Sequence, residues 1–206
     1  MIQYKEMKKL YLGKYQHKIM LVVQGAHYLR GGNLDNSVDR IISSRDDYDY
    51  YGTKNRATRP QDYELLLNII DTLRGIEDFT VRVEKCYLSI YVNKPNHIGW
   101  LKKVGGNAVR EIHFPKVELT VGSVVSTLPY DYKVHAQINR NTDYEGFINW
   151  AQDNTNLRVP PRSLRTLQHM NYSQHIYFYV TGEKNLTMAK IHLGAGVKQV
   201  EKIINP

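Results

Sequence analysis

Cysteine is nearly missing from this chain. Among 206 residues only Cys86 is a cysteine, which excludes an intrachain disulfide and a cysteine-rich zinc site. It lies in a strand-like run and reads as a small core residue. Long apolar runs are missing too. The strongest is "IMLVV", Ile19 to Val23, far too short to span a bilayer. The N-terminal "MIQYKEMKKLYLG" has no apolar segment of the signal-peptide kind. These absences predict a soluble, intracellular, cytoplasmic protein with no membrane partner. Catalytic signatures are absent as well. There is no GxxxxGK[ST] phosphate loop and no GxSxG elbow. The eight histidines include no His-x-x-x-His or similar metal spacing. Asp46, Asp47 and Asp49 lie among tyrosines and read as a solvated loop. No cofactor and no metal are expected, and the balance is against an enzyme.

What is present is positive charge and tyrosine. The formal charge is +8 and the pI is near 9.4, which favours a polyanionic partner such as nucleic acid. Phenylalanine occurs 4 times and tyrosine 16 times. A tyrosine has a flat apolar face and a polar tip, so it suits a half-exposed contact surface.

The chain also repeats itself, and repeats constrain a fold before any motif does. "DYELLLNIIDTL" from Asp62 and "DYEGFINWAQDN" from Asp143 share one helical face. In the first, Tyr63, Leu66, Leu67 and Ile70 follow the i, i+3, i+4, i+7 spacing, and in the second so do Tyr144, Phe147, Ile148 and Ala151. Thr142 and Glu145 have capping-box spacing. Before each helix stands Tyr-x-x-Lys and a β-rich run, Tyr15 to Val23 and Tyr130 to Ile138. After each comes a clear strand, "YLSIYVN" from Tyr87 and "HIYFYVT" from His175. A short helix then ends at Gly105 in one copy and Gly194 in the other. Each copy closes with a run ending in proline, "VREIHFP" and "VEKIINP". A further strand fits at "FTVRVEK" in the first copy, and more weakly at "NLRVP" or "SLRTLQ" in the second.

The order is β-α-β-β-α-β in both copies. The predicted fold is α+β: two tandem ferredoxin-like units forming a pseudo-dimer, each a four-stranded sheet with two helices on one face. The first unit spans 1–121, a linker 122–129, and the second unit 130–206. Only the first carries a long insert, 24–61, between its first strand and first helix. The insert holds Arg30, Arg40, Arg45, Lys54, Arg56 and Arg59 with Tyr28, Tyr48, Tyr50 and Tyr51. Loops of this length inside compact domains are usually functional or disordered.

Strand alternation assigns the faces. Leu88, Ile90 and Val92 oppose Tyr87, Ser89 and Tyr91, and Ile176, Phe178 and Val180 oppose His175, Tyr177 and Tyr179. Val134, Ala136 and Ile138 oppose Lys133, His135 and Gln137, and Ile19, Leu21 and Val23 point inward in the first unit. The apolar sets should meet the helices and leave the tyrosines on an open face.

In this pattern the chain resembles tandem RRM-like, or ferredoxin-like, nucleic-acid-binding proteins. The resemblance implies that Tyr87, Tyr91, Tyr177 and Tyr179 stack bases of single-stranded RNA or DNA. Lys133 and His135 share their face, and Arg30, Arg45, Arg56 and Arg59 of the insert would clamp phosphates. Burial of the tyrosines against other protein surface is the competing expectation, because tyrosine also favours strands and interfaces. The length, basicity and two-unit layout also resemble CRISPR repeat-processing endoribonucleases, which implies metal-independent acid–base cleavage with His27 as the candidate base. The third class is a viral or phage accessory protein, or an assembly subunit acting through protein contacts.

Overall fold

The computed structural model describes residues 1–46, 60–137, 142–169 and 175–206. The described chain divides into two compact units, Met1–Leu119 and Thr120–Pro206. Unit one contains β1 (Gln3–Met7), β2 (His17–Val22), α1 (Leu34–Asp46), α2 (Pro60–Arg74), β3 (Phe79–Glu84), β4 (Tyr87–Val92), α3 (Pro95–Gly105) and β5 (Val109–Pro115). Unit two contains β6 (Ser123–Val125), β7 (Tyr132–Gln137), α4 (Tyr144–Asp153), β8 (Leu157–Arg158), α5 (Pro161–Gln168), β9 (His175–Val180), α6 (Glu183–Leu193) and β10 (Val197–Ile204).

Each unit forms one five-stranded sheet, ordered β1-β5-β2-β4-β3 in the first and β6-β10-β7-β9-β8 in the second. Four strands of each, β5-β2-β4-β3 and β10-β7-β9-β8, are antiparallel and have the ferredoxin-like arrangement. The fold is therefore α+β with two tandem ferredoxin-like units. The fifth strand, β1 or β6, lies parallel to the last strand at the sheet edge. Sequence reading missed both edge strands. Residues 122–129, read as a linker, supply β6. β1 is largely exposed and polar, so it carries no alternating apolar signal. No helix among the described residues is long and apolar enough to cross a membrane.

The repeat extends to details that only register reveals. Lys18 lies opposite Tyr91 and Lys133 lies opposite Tyr179. β5 is bulged against β2 where Met20 gives way to Leu21, and β10 is bulged against β7 between Val197 and Gln199. The last strands thus align from Val109 with Val197, not through their closing prolines. The helix ends align at Gly106 and Gly194, with φ 45° and 49° and ψ −123° and −128°, a region open only to glycine. Gly105 has a different task. A Cβ there would meet Leu21 Cδ2 at 2.5 Å and Val109 Cγ2 at 2.8 Å, so its lack of a side chain lets α3 approach the sheet.

The inward faces pack as the alternation predicts. Ile19, Leu21, Val23, Leu88, Ile90 and Val92 join Tyr63, Leu66, Ile69, Ile70 and Leu73 of α2 in one core. Val134, Ala136, Ile176, Phe178 and Val180 join Tyr144 and Phe147 of α4 in the other. Leu67, Ile148 and Ala151 are partly buried at the margins. Ile138 lies outside the described residues. Asp143 is the N-cap of α4, its carboxylate accepting from the Gly146 amide at 2.9 Å.

Two further expectations change. "SLRTLQ" belongs to α5, whereas Leu157–Arg158 within "NLRVP" is the short edge strand. Ser163 of α5 offers its hydroxyl oxygen to the Tyr177 amide at 3.2 Å, a bond that a longer strand would otherwise supply. The described part of the insert is also not a loop. It makes a 3₁₀ turn over Ala26–Leu29 and then α1, burying Ala26, Tyr28, Leu29 and Ile41 against the first core. Leu34, Val38 and Ile41 share one face at i, i+4, i+7. The Arg74 guanidinium reaches the Asp35 carboxylate at 2.6 Å and ties α2 to α1.

Gly105→Ala should destabilise the protein by about 1–3 kcal/mol through overpacking, measured by urea denaturation. Gly106→Ala should cost a similar amount, about 1–3 kcal/mol, through backbone strain instead. A change near zero at Gly105 would show that α3 can retreat from Leu21.

Candidate nucleic-acid interface

On the open face of unit one, Lys18, Met20, Arg82, Glu84, Tyr87, Ser89 and Tyr91 line a groove of about 370 Å³. Register explains the set: Lys18 and Met20 of β2 sit opposite Tyr91 and Ser89 of β4, and Arg82 and Glu84 of β3 sit opposite Ser89 and Tyr87. Tyr87 is 45% exposed, but Tyr91 is 6% exposed. The connection between β1 and β2 folds over the sheet and places the Tyr11 and Tyr15 rings 5.3 and 6.3 Å from that of Tyr91. Tyr91 is therefore a buried packing residue and offers no free ring face for a base, contrary to the expectation from strand alternation. Burial lowers the Lys18 pKa, opposed by Glu111 and reinforced by Lys5 and Arg82.

The same face carries a polar chain. Tyr11 Oη is hydrogen-bonded to His113 Nδ1, His113 Nε2 lies 2.9 Å from Glu111 Oε2, and Glu111 Oε1 accepts from Lys5 Nζ. Lys5 and His113 hold the Glu111 carboxyl below its usual range. Burial lowers the His113 pKa, partly offset by Glu111. The Tyr11 phenol is pushed up, first by burial and then by Tyr91 and Glu111. Sequence reading did not find this chain, whose members come from β1, β5 and the connection after β1.

In unit two, Tyr177 is 36% exposed and Tyr179 is half-buried. Tyr130 stacks on Tyr179 at 5.7 Å, the counterpart of Tyr15 on Tyr91. This explains the repeated Tyr-x-x-Lys: the tyrosine covers the ring that the lysine faces across the strands. Lys133 and His135 share this face and have a common partner there. Both point at Glu201, which is 2% exposed, with His135 Nε2 at 3.0 Å and Lys133 Nζ at 4.0 Å from Oε2. The Lys133 ammonium also lies 5.0 Å from the Tyr177 ring centroid, in cation–π range.

Of the insert residues, His27 and Arg30 are exposed beside the buried Tyr28. The His27 ring lies 4.1 Å from that of Tyr28, and Arg40 sits 5.8 Å over the other aromatic. Burial, then Arg40 and Arg30, lowers the His27 pKa and favours its neutral form. The Arg45 side chain, Arg56 and Arg59 lie outside the described residues. A second cleft of about 400 Å³ in unit one is lined by Asp78, Asn93, Lys94, His97 and Trp100 among others, and joins none of the residues proposed from sequence. Among the described residues no three His, Cys, Asp or Glu side chains are grouped to hold a metal ion.

No known protein family, no curated protein and no solved structure matches this chain. The site must therefore be judged on its own chemistry.

Packing and platform roles separate by substitution. Tyr91→Ala should cost roughly 3 kcal/mol of stability by opening a cavity under Tyr11 and Tyr15. Tyr87→Ala, at an exposed position, should stay within about 0.5 kcal/mol of the parent. Thermal unfolding of the two variants checks both.

Proposed function

We propose that this protein is an intracellular single-stranded nucleic-acid-binding protein that uses the open sheet face of each unit. The observation that carries the reading is a pair of half-exposed tyrosines, Tyr87 and Tyr177, each on a sheet face that also bears strand-borne cations. Around Tyr87 these are Lys18 and Arg82, and beside Tyr177 it is Lys133, whose charge Glu201 offsets only in part at 4.0 Å. A base stacks on an exposed ring whatever its identity, while ammonium and guanidinium groups meet the phosphates. The net charge of +8 gives the long-range attraction. Exposed Arg30 and Arg40 of the insert extend the basic surface of unit one. Arg162 and Arg165 of α5, also exposed, do the same in unit two. Tyr91 and Tyr179 take the supporting role, holding the faces in shape.

Fluorescence anisotropy with a labelled single-stranded oligonucleotide tests the proposal. Tyr87→Ala and Tyr177→Ala should each weaken binding by about 1–3 kcal/mol. Affinity should also fall steeply as salt rises from about 50 to about 300 mM, through counterion release. Affinity insensitive to salt and to both substitutions would sink the reading. A protein partner retained after nuclease treatment would favour an assembly role instead.

A further inference from the structure

Resting on the nucleic-acid reading, we propose that unit one cleaves single-stranded DNA by covalent transfer to Tyr11, with His113 as general base and Glu111 as its positioning residue. Proton chemistry assigns the roles. Glu111, held as a carboxylate beside Lys5, can only accept a hydrogen bond. His113 therefore carries its hydrogen on Nε2 and presents a bare Nδ1. The partner at Nδ1 is the Tyr11 hydroxyl, so Tyr11 donates. A hydroxyl bonded to an imidazole that is oriented by a carboxylate is the general layout of an activated nucleophile.

The second unit shows that the fold does not require this chain. His113 lies opposite Lys18, and the residue opposite Lys133 is Glu201; Glu111 lies opposite Met20, and the residue opposite His135 is Gln199. Unit two thus has no imidazole at either position on its last strand, yet folds the same way. The polar chain is an addition to unit one, and it stands beside the groove that Lys18 and Arg82 line together with Glu84. Lys18, which lines that groove, lies 5.8 Å from the Tyr11 ring centroid.

The step is a transesterification. Tyr11 Oη attacks the phosphorus of a phosphodiester, and its proton passes to His113 Nδ1. The O–P bond to tyrosine forms as the P–O bond to one sugar breaks. The departing sugar oxygen takes a proton from water, and the resulting hydroxide is neutralised when the His113 imidazolium releases its proton. No oxidant, reductant or co-reactant is consumed. Lys18 stabilises the charge that gathers on the transferring phosphoryl oxygens. We assign DNA as the substrate class because a strand without a 2′-hydroxyl cannot attack its own phosphate and needs an external nucleophile such as Tyr11. Burial, Tyr91 and Glu111 raise the Tyr11 pKa, so the attacking oxygen depends on the base at His113 Nδ1.

The test incubates the full chain with end-labelled single-stranded DNA and looks for an adduct that survives denaturing electrophoresis, mapped by peptide mass spectrometry. The expected result is one adduct, on Tyr11, lost in Tyr11→Phe while that variant keeps its thermal transition. His113→Ala should slow adduct formation by about 10²–10⁴-fold. Glu111→Gln should shift the acidic limb of the rate–pH profile to lower pH, because the lost carboxylate no longer favours the imidazolium. A purely structural role for Glu111 would leave that limb in place. DNA binding without adduct or cleavage overturns this inference and leaves the binding function intact. Binding of RNA but not DNA overturns this inference alone, and absence of binding to either overturns both. An adduct on another residue, or scission confined to RNA, also overturns it.

Discussion

The pairing of β2 with β4, and of β7 with β9, sets everything else in this molecule. Ile19 faces Ile90 and Leu21 faces Leu88, while Val134 faces Phe178 and Ala136 faces Ile176. All eight side chains are buried against the helices. A slip of one residue would turn each of these side chains to the other face. The hydrophobic faces therefore lock the register, and the register decides which polar groups share the open face. Lys18 stands across from Tyr91, and Lys133 from Tyr179, because the apolar residues between them had to point the other way.

From that common frame the two units diverge. Both cover the inner tyrosine of the open face with a ring from the segment after the edge strand, Tyr15 in one and Tyr130 in the other. Beyond this point the chemistry differs. Unit one places a histidine and a carboxylate side by side on its last strand and brings the Tyr11 hydroxyl to them. Unit two sinks Glu201 among Lys133, His135 and Gln199. A buried carboxylate is stable only when such partners meet it, so the Lys133 charge is partly spent inside the protein. Two copies of one fold present two equivalent surfaces, and the residues at their outward positions give them separate properties.

Much of the fold was legible in the sequence. Period-two alternation in β4 and β9, and the shared helical face of α2 and α4, identified the repeat and both cores. The parallel edge strands β1 and β6 were not legible. β1 is polar and mostly exposed, and β6 is three residues long, so neither carries a buried face to mark it. α1 was hidden because its buried-face residues, Leu34, Val38 and Ile41, are few and lie among polar residues and the exposed Ile42. Of the proposed site residues, Tyr87 and Tyr177 are exposed as alternation suggested. Tyr91 has the same alternation and is buried, because a neighbouring segment covers it. Periodicity reports which face a side chain takes, not what lies above that face.

The sequence by itself determined the two-fold repetition, the inward faces, the basic charge and the wealth of tyrosine, since each is set by residue type and short-range spacing. Tertiary structure alone decided which tyrosines remain open and which charged groups neutralise one another. It alone joined Tyr11 to His113 and Glu111, residues separated by most of unit one. The reason is physical: a hydrogen bond reaches about 3 Å, and only the closure of the sheet brings such distant positions within that range.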